Sequence, residues 1–177
     1  MNHSLSSTIR TFSASVLLLG LVACATPQPS AVAVAELQPT RGNATGGSLR
    51  FEQLGDVVRV SGEVRGLKPG AEHGFHVHEK GDCASGDGMG TGGHYNPRGM
   101  AHGRHGHGPH HVGDLPALVA DANGVARVQF ETRALSLGGD AGIVGKGLIV
   151  HRDPDDYRAQ PAGNAGPRVA CGVIRSS

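Results

Sequence analysis

Residues 57 to 67, VVRVSGEVRGL, put Val58, Val60 and Val64 on one side of an extended chain and Arg59, Ser61, Glu63 and Arg65 on the other, until Lys68-Pro69-Gly70 turns it. A two-residue period buries one face of a strand and leaves the other wet; a helix cannot carry it. The same period runs through AVAVAEL (31–37) and GSLRFEQL (47–54). LPALVADANGVARVQF (115–130) reads as two strands joined at Asn123-Gly124, a hairpin signal, and GKGLIVH (145–151) and RVACGVIR (168–175) supply the last two. With the strand carrying GFHVH (74–78), and with no helical stretch, the chain is expected to be all-β, an antiparallel sandwich or barrel. Twenty-nine glycines, no tryptophan and few aromatics suit many turns between short aliphatic strands.

Residues 80 to 113, KGDCASGDGMGTGGHYNPRGMAHGRHGHGPHHVG, break that pattern. Ordering a segment costs about 1–2 kcal/mol per residue, and this one has little apolar surface to offset the cost. A metal and a disulfide are the available ordering agents. Eleven histidines in 177 residues point to metal or proton chemistry. Sixteen Lys and Arg against fifteen Asp and Glu leave no basic excess, which argues against nucleic acid as a partner.

His3 and Arg10 precede the apolar run 14–23, which is too short for a permanent membrane span, so residues 1–23 read as an export signal. The run ends Leu21-Val22-Ala23-Cys24, which resembles the lipobox of bacterial lipoproteins. A lipidated Cys24 would hold the domain of residues 31–177 on a membrane of the cell envelope, in the periplasm, through the tether 24–30. Ordinary cleavage beside Ala23-Cys24-Ala25, discarding Cys24, is the alternative. Either route places the domain outside the cytoplasm and leaves two cysteines, Cys83 and Cys171.

In GFHVHE (74–79), His76 and His78 share one strand face about 6.5–7 Å apart, within reach of one ion. The long loop adds His94, His102 and His111, then Asp114, and the strand 145–151 ends on His151. Three imidazoles and a carboxylate (His94, His102, His111, Asp114) form a closed set suited to Zn²⁺. Four imidazoles (His76, His78, His94, His151) suit the tetragonal preference of Cu²⁺, and the two sets share His94.

Taken together, GFHVHE (74–79), GGHYNP (92–97), HVGDL (111–115), IVH (149–151) followed by Asp155, and GNAGPRVACGVI (163–174) resemble the copper/zinc superoxide dismutase family. The resemblance implies an eight-stranded antiparallel Greek-key barrel or sandwich with two long functional loops. It implies copper on His76, His78, His94 and His151, zinc on His94, His102, His111 and Asp114, with His94 bridging. Two superoxide anions would be converted to O₂ and H₂O₂. Asp155 would join a copper histidine to a zinc histidine through their outer N–H groups, and Arg168 would orient the anion beside copper. Cys83 and Cys171 match the family's intrasubunit disulfide, and closing a loop of this size is worth about 4–5 kcal/mol on a chain-entropy model.

Two departures accompany the match. His105, His107 and His110, with His73, correspond to no ligand; in HGRHGHGPHH a one-step slip would exchange a ligand for a neighbour, and His102 is chosen because it preserves both spacings. The spare histidines are expected to be solvated loop residues. The loop 152–167 is shorter than in the family's eukaryotic members and contains no lysine, which leaves the form of electrostatic steering open. A copper or zinc carrier on the same fold is the alternative function, and both monomer and homodimer remain compatible with the sequence.

Overall fold

The structure, a computed structural model, describes residues 28–177; the expected leader (1–23) and Cys24 lie outside the described residues. Strand β3 (Val57–Arg65) bears out its alternation, with Val58, Val60 and Val64 fully buried and Arg59 and Arg65 exposed. It pairs with β2 (Gly46–Leu54), which pairs with β1 (Ala31–Pro39), and Leu49, Phe51, Ala33 and Ala35 complete that side of the core. The other strands are β4 (Glu72–His73), β5 (Phe75–His78), β6 (Leu118–Val119), β7 (Ala126–Thr132), β8 (Gly147–His151) and β9 (Arg168–Ser176). Seven lie in one antiparallel sheet of order β5-β8-β9-β1-β2-β3-β7, and β4 pairs with β6. Placing β3 beside β7 and β9 beside β1 makes the connectivity a Greek key, and the curled sheet wraps the apolar core as an all-β barrel. Glu72–His73 forms a short strand of its own ahead of the strand expected at 74–78, so the eight expected strands become nine.

One local expectation needs correction. The chain does turn at Asn123-Gly124, where the Asp121 carboxylate accepts from the N–H groups of Asn123 and Val125 and Gly124 N–H reaches Asp121 O at 3.0 Å. The flanking strands do not form a hairpin ladder, however: β6 leaves to pair with β4 and β7 with β3. The turn chemistry is local, whereas partner choice is decided by the apolar faces that must meet.

Strands β5 and β8 are buried along their whole length. On β5, Phe75 and Val77 face the core; His76 and His78 face the other way under the long loops. The outer edge of β5 is not left bare. Val77 N–H donates to Gly113 O at 2.9 Å, Tyr95 N–H donates to Val77 O at 2.8 Å, and Gly113 N–H donates to Tyr95 O at 2.9 Å. The histidine-rich loop is thereby stitched to the strand, delivering His94 and Asp114 beside His76 and His78. Only glycine fits at 113, because a Cβ there would strike the Val77 carbonyl and lie 3.0 Å from Tyr95 N. The Cys83–Cys171 disulfide is formed, tying the start of the loop to β9.

Candidate metal centre

Strands supply three imidazoles of the first cluster and the loop supplies the fourth. The donor atoms of His76, His78, His94 and His151 all lie within 4.8 Å of one another, and all four side chains are buried. Each strand histidine is held by its outer nitrogen: His76 Nε2 donates to Asp155 Oδ2 at 2.8 Å, His78 Nδ1 to Gly92 O at 2.9 Å, and His151 Nδ1 to Gly166 O at 3.0 Å. A carbonyl or carboxylate can only accept, so these outer atoms carry the hydrogens. The inner nitrogens, His76 Nδ1, His78 Nε2 and His151 Nε2, are then lone pairs, buried and without a protein partner. Three buried acceptors gathered in this way are an unfavourable arrangement unless a cation joins them, which is the fit a metal requires.

Burial holds all three rings neutral, with the His78 pKa pushed down to about 2, that of His151 to about 3, and that of His76 also lowered. The ring centroids form a flattened quadrilateral. Its sides are 4.0 Å (His76–His94), 5.1 Å (His78–His94), 5.7 Å (His78–His151) and 5.0 Å (His76–His151). Its diagonals are 6.3 Å (His76–His78) and 6.4 Å (His94–His151). The four rings are folded out of one plane, an outline between a square and a tetrahedron.

The second cluster has a different shape. Asp114 Oδ1 lies 2.8 Å from His94 Nδ1, 3.1 Å from His102 Nδ1 and 3.2 Å from His111 Nδ1, with His94 Nδ1 and His111 Nδ1 3.4 Å apart. Ligands at the ordinary Zn–N and Zn–O distances sit about 3.3 Å apart at the corners of a tetrahedron, so this cluster has the dimensions of a zinc site. Three nitrogens around one oxygen also exceed the two lone pairs that oxygen offers, and a shared cation resolves the excess. Burial works against ionised Asp114, but hydrogen bonds from His102, His94 and the His111 N–H win, and its carboxyl is held well below the usual range. For His102 burial again opposes the charged form, while Asp114 and Asp155 outweigh it and raise the ring to about 9 in the metal-free chain.

Asp155 spans the two clusters. Its Oδ2 accepts from His76 Nε2 and its Oδ1 accepts from His102 Nε2 at 3.1 Å. Its pKa sits at about 2, because hydrogen bonds from both rings overcome burial. Gly163, at φ +72°, closes over this carboxylate; a Cβ there would overlap Asp155 Oδ1 and come within 2.6 Å of His102 Nε2. Arg168, the first residue of β9, is half-buried beside the first cluster. Its Nη1 donates to Gly88 O at 2.6 Å and to Thr91 Oγ1 at 2.8 Å, and its Nη2 donates to Gly92 O at 2.7 Å. The Gly92 carbonyl therefore serves both His78 and Arg168.

The family model for copper/zinc superoxide dismutase (SODC) matches residues 45–174, a span that contains every residue of both clusters. The chain belongs to the copper/zinc superoxide dismutase family. It is 39% identical over 157 residues to "Extracellular superoxide dismutase [Cu-Zn]" of Brugia pahangi, covering 84% of this chain and 77% of that one. It is 40% identical over 134 residues to "Superoxide dismutase [Cu-Zn]" of Paramecium bursaria Chlorella virus 1, covering 72% of this chain and 71% of that one. Among solved structures it resembles the clock protein EA4, with TM-score 0.75 and 39% identity over 85% of this chain and 97% of that chain. As a member of the copper/zinc superoxide dismutase family it takes copper and zinc as cofactors and acts on superoxide.

The extra histidines of this superoxide dismutase chain are not all solvated. His107 is exposed, but His73 is only 3% exposed, and its Nδ1 donates to the carbonyl of His151 at 2.9 Å. His105 Nδ1 donates to Asp114 O at 2.8 Å, and His110 Nδ1 donates to His111 O at 2.7 Å. All three brace the main chain of a cluster residue. Gln160 does the same for His102: its amide accepts from His102 N–H at 3.0 Å and donates to His102 O at 2.9 Å. Sequence reasoning missed it. No motif marks a glutamine whose partner is main chain 58 positions away.

Proposed function

We propose that the chain disproportionates superoxide with copper held by His76, His78, His94 and His151 and zinc held by His94, His102, His111 and Asp114, His94 bridging the two. The observation carrying this reading is the set of three buried, unpartnered imidazole nitrogens next to a histidine that the second cluster shares. Copper would supply reversible one-electron chemistry at the first cluster, and zinc would fix His94 and the loop without redox change. The protein's own residues do the rest. His94 has Nδ1 committed to the second cluster, so Nε2 is the atom that can hold a proton for a reduced dioxygen. Asp155 keeps His76 and His102 in the tautomers that turn their other nitrogens inward. Arg168 offers fixed positive donors to an incoming anion. Two superoxide anions and two protons thus yield O₂ and H₂O₂.

The domain, residues 31–177, is proposed to follow an export leader (1–23) and a tether (24–30) lipidated at Cys24, and to work in the periplasm or elsewhere in the cell envelope. Relatives named extracellular superoxide dismutase, and a disulfide of the kind that is common in oxidising compartments and rare in the cytosol, support export. The decisive assay compares superoxide removal by wild type, His94→Ala and Arg168→Ala, each with copper and zinc content measured. Loss in both variants with an active wild type is expected; an inert, fully loaded wild type overturns catalysis in favour of metal carriage. For the anchor, palmitate labelling that disappears in Cys24→Ala is expected, and an unlabelled wild type overturns it.

A further inference from the structure

Arg168 is held by neutral acceptors only, all in the segment 88–92. A guanidinium has five N–H donors. Gly88 O and Thr91 Oγ1 take the pair on Nη1, and Gly92 O takes one on Nη2. Among the described residues this leaves Nε–H and one Nη2–H unengaged, with no carboxylate hydrogen-bonded to the group to neutralise its charge. Of the three acceptors, two are backbone carbonyls that any residue would supply. The third is the hydroxyl of a threonine that is 0% exposed, in the 3₁₀ turn Met89–Thr91.

That hydroxyl is firmly aimed. It donates its own hydrogen to Gly88 O at 2.9 Å, so its lone pairs are left for Arg168. The Thr91 methyl is wedged against β8, where a Cβ at Gly147 would come within 2.7 Å of Thr91 Cγ2. Threonine divides between two χ1 rotamers in a helical turn, and the methyl contact together with the hydroxyl's bond to Gly88 O selects one of them. Threonine, Gly88 carbonyl and Nη1 thus close a small ring of hydrogen bonds.

We infer that Thr91 is a positioning residue for the anion site: its hydroxyl fixes the rotation of the Arg168 guanidinium so that the two unengaged N–H groups face the incoming anion. The inference rests on the reading of Arg168 as the anion-orienting group. Removing the hydroxyl leaves an Nη1–H in a half-buried place without an acceptor, and the guanidinium would turn to find water instead.

The test uses copper- and zinc-loaded protein with azide as the anion probe, titrated through the copper absorption band and expressed per bound copper. Thr91→Val, which keeps the branched shape, is expected to weaken azide about fivefold and lower the superoxide rate by a similar factor, with Thr91→Ser returning both to within about twofold of wild type. Arg168→Ala is the reference and is expected to lose about tenfold or more. If Arg168→Ala leaves azide affinity unchanged, the reading of Arg168 fails. If Arg168→Ala weakens azide but Thr91→Val does not, or if Thr91→Ser shows the same loss as Thr91→Val, the role of the hydroxyl is refuted. Should Thr91→Val not fold, Thr91→Ala carries the same expectation. A merely structural role would lower the melting temperature and leave azide affinity per copper untouched.

Discussion

The two metal clusters share His94 and an aspartate, yet they are built on opposite principles. Three of the four imidazoles of the first come from β5 and β8, strands buried on both faces and locked by ladder hydrogen bonds. Their positions follow from the pleat. The second cluster comes from residues 94–114, where no strand or helix is assigned among the described residues, and its shape is set by Asp114, by Asp155 and by main-chain links to β5. A frame fixed by its sheet stands beside one whose rigidity is expected to depend on metal.

The sharpest way to break that comparison is to remove both metals and follow amide hydrogen exchange. Amides of 98–110 are expected to lose protection by about a hundredfold or more while those of β8 change less than about threefold. Equal losses in both regions would refute the distinction. Next in size is Asp155→Ala, which frees the outer nitrogens of His76 and His102 together; zinc affinity is expected to fall about 10–100-fold by competition with a chelator, and copper affinity by less, since β5 still places His76.

In the metal-free protein the strand histidines His78 and His151 and the loop histidine His102 are expected to titrate with opposite sign. His78 and His151 have folded pKa values of about 2 and 3, below the unfolded value of 6.5, so the stability they contribute is complete above pH 6.5 and is lost as pH falls towards 3. His102, raised to about 9, contributes stability that is complete below pH 6.5 and is lost as pH rises through 9. Denaturant midpoints from pH 3 to 10, repeated in His102→Gln, would show the alkaline loss disappear in the variant and the acid loss remain. The smallest effect is expected from Gln160→Leu, which removes two hydrogen bonds to the His102 main chain and should weaken zinc by about three- to tenfold without altering copper, read by the same chelator competition.

How much of this was legible beforehand follows the same division. Val58, Val60 and Val64, and the shared face of His76 and His78, obey a period that local sequence carries in full. The choice of His102 over His105 could be argued from spacing, and the geometry that distinguishes the two is nonlocal: His102 has one nitrogen at Asp114 and the other at Asp155, while His105 donates only to a carbonyl. The hairpin expected at Asn123-Gly124 went wrong for a related reason, since a turn motif specifies a corner and says nothing about which strands flank it. His73, His105, His110 and Gln160 bond to main-chain atoms, and the main chain carries no residue-type signature for a reader to find.

The carbonyl of Gly92 accepts from His78 and from Arg168 at once. A tremor in that peptide carries imidazole and guanidinium along in step, so the spacing between them drifts less than either position does. Such a coupled pair acts as a caliper of set span, already at its working width before a diatomic visitor arrives. With Arg168 receiving the anion as proposed, such a visitor would meet donors whose spacing one peptide has already set.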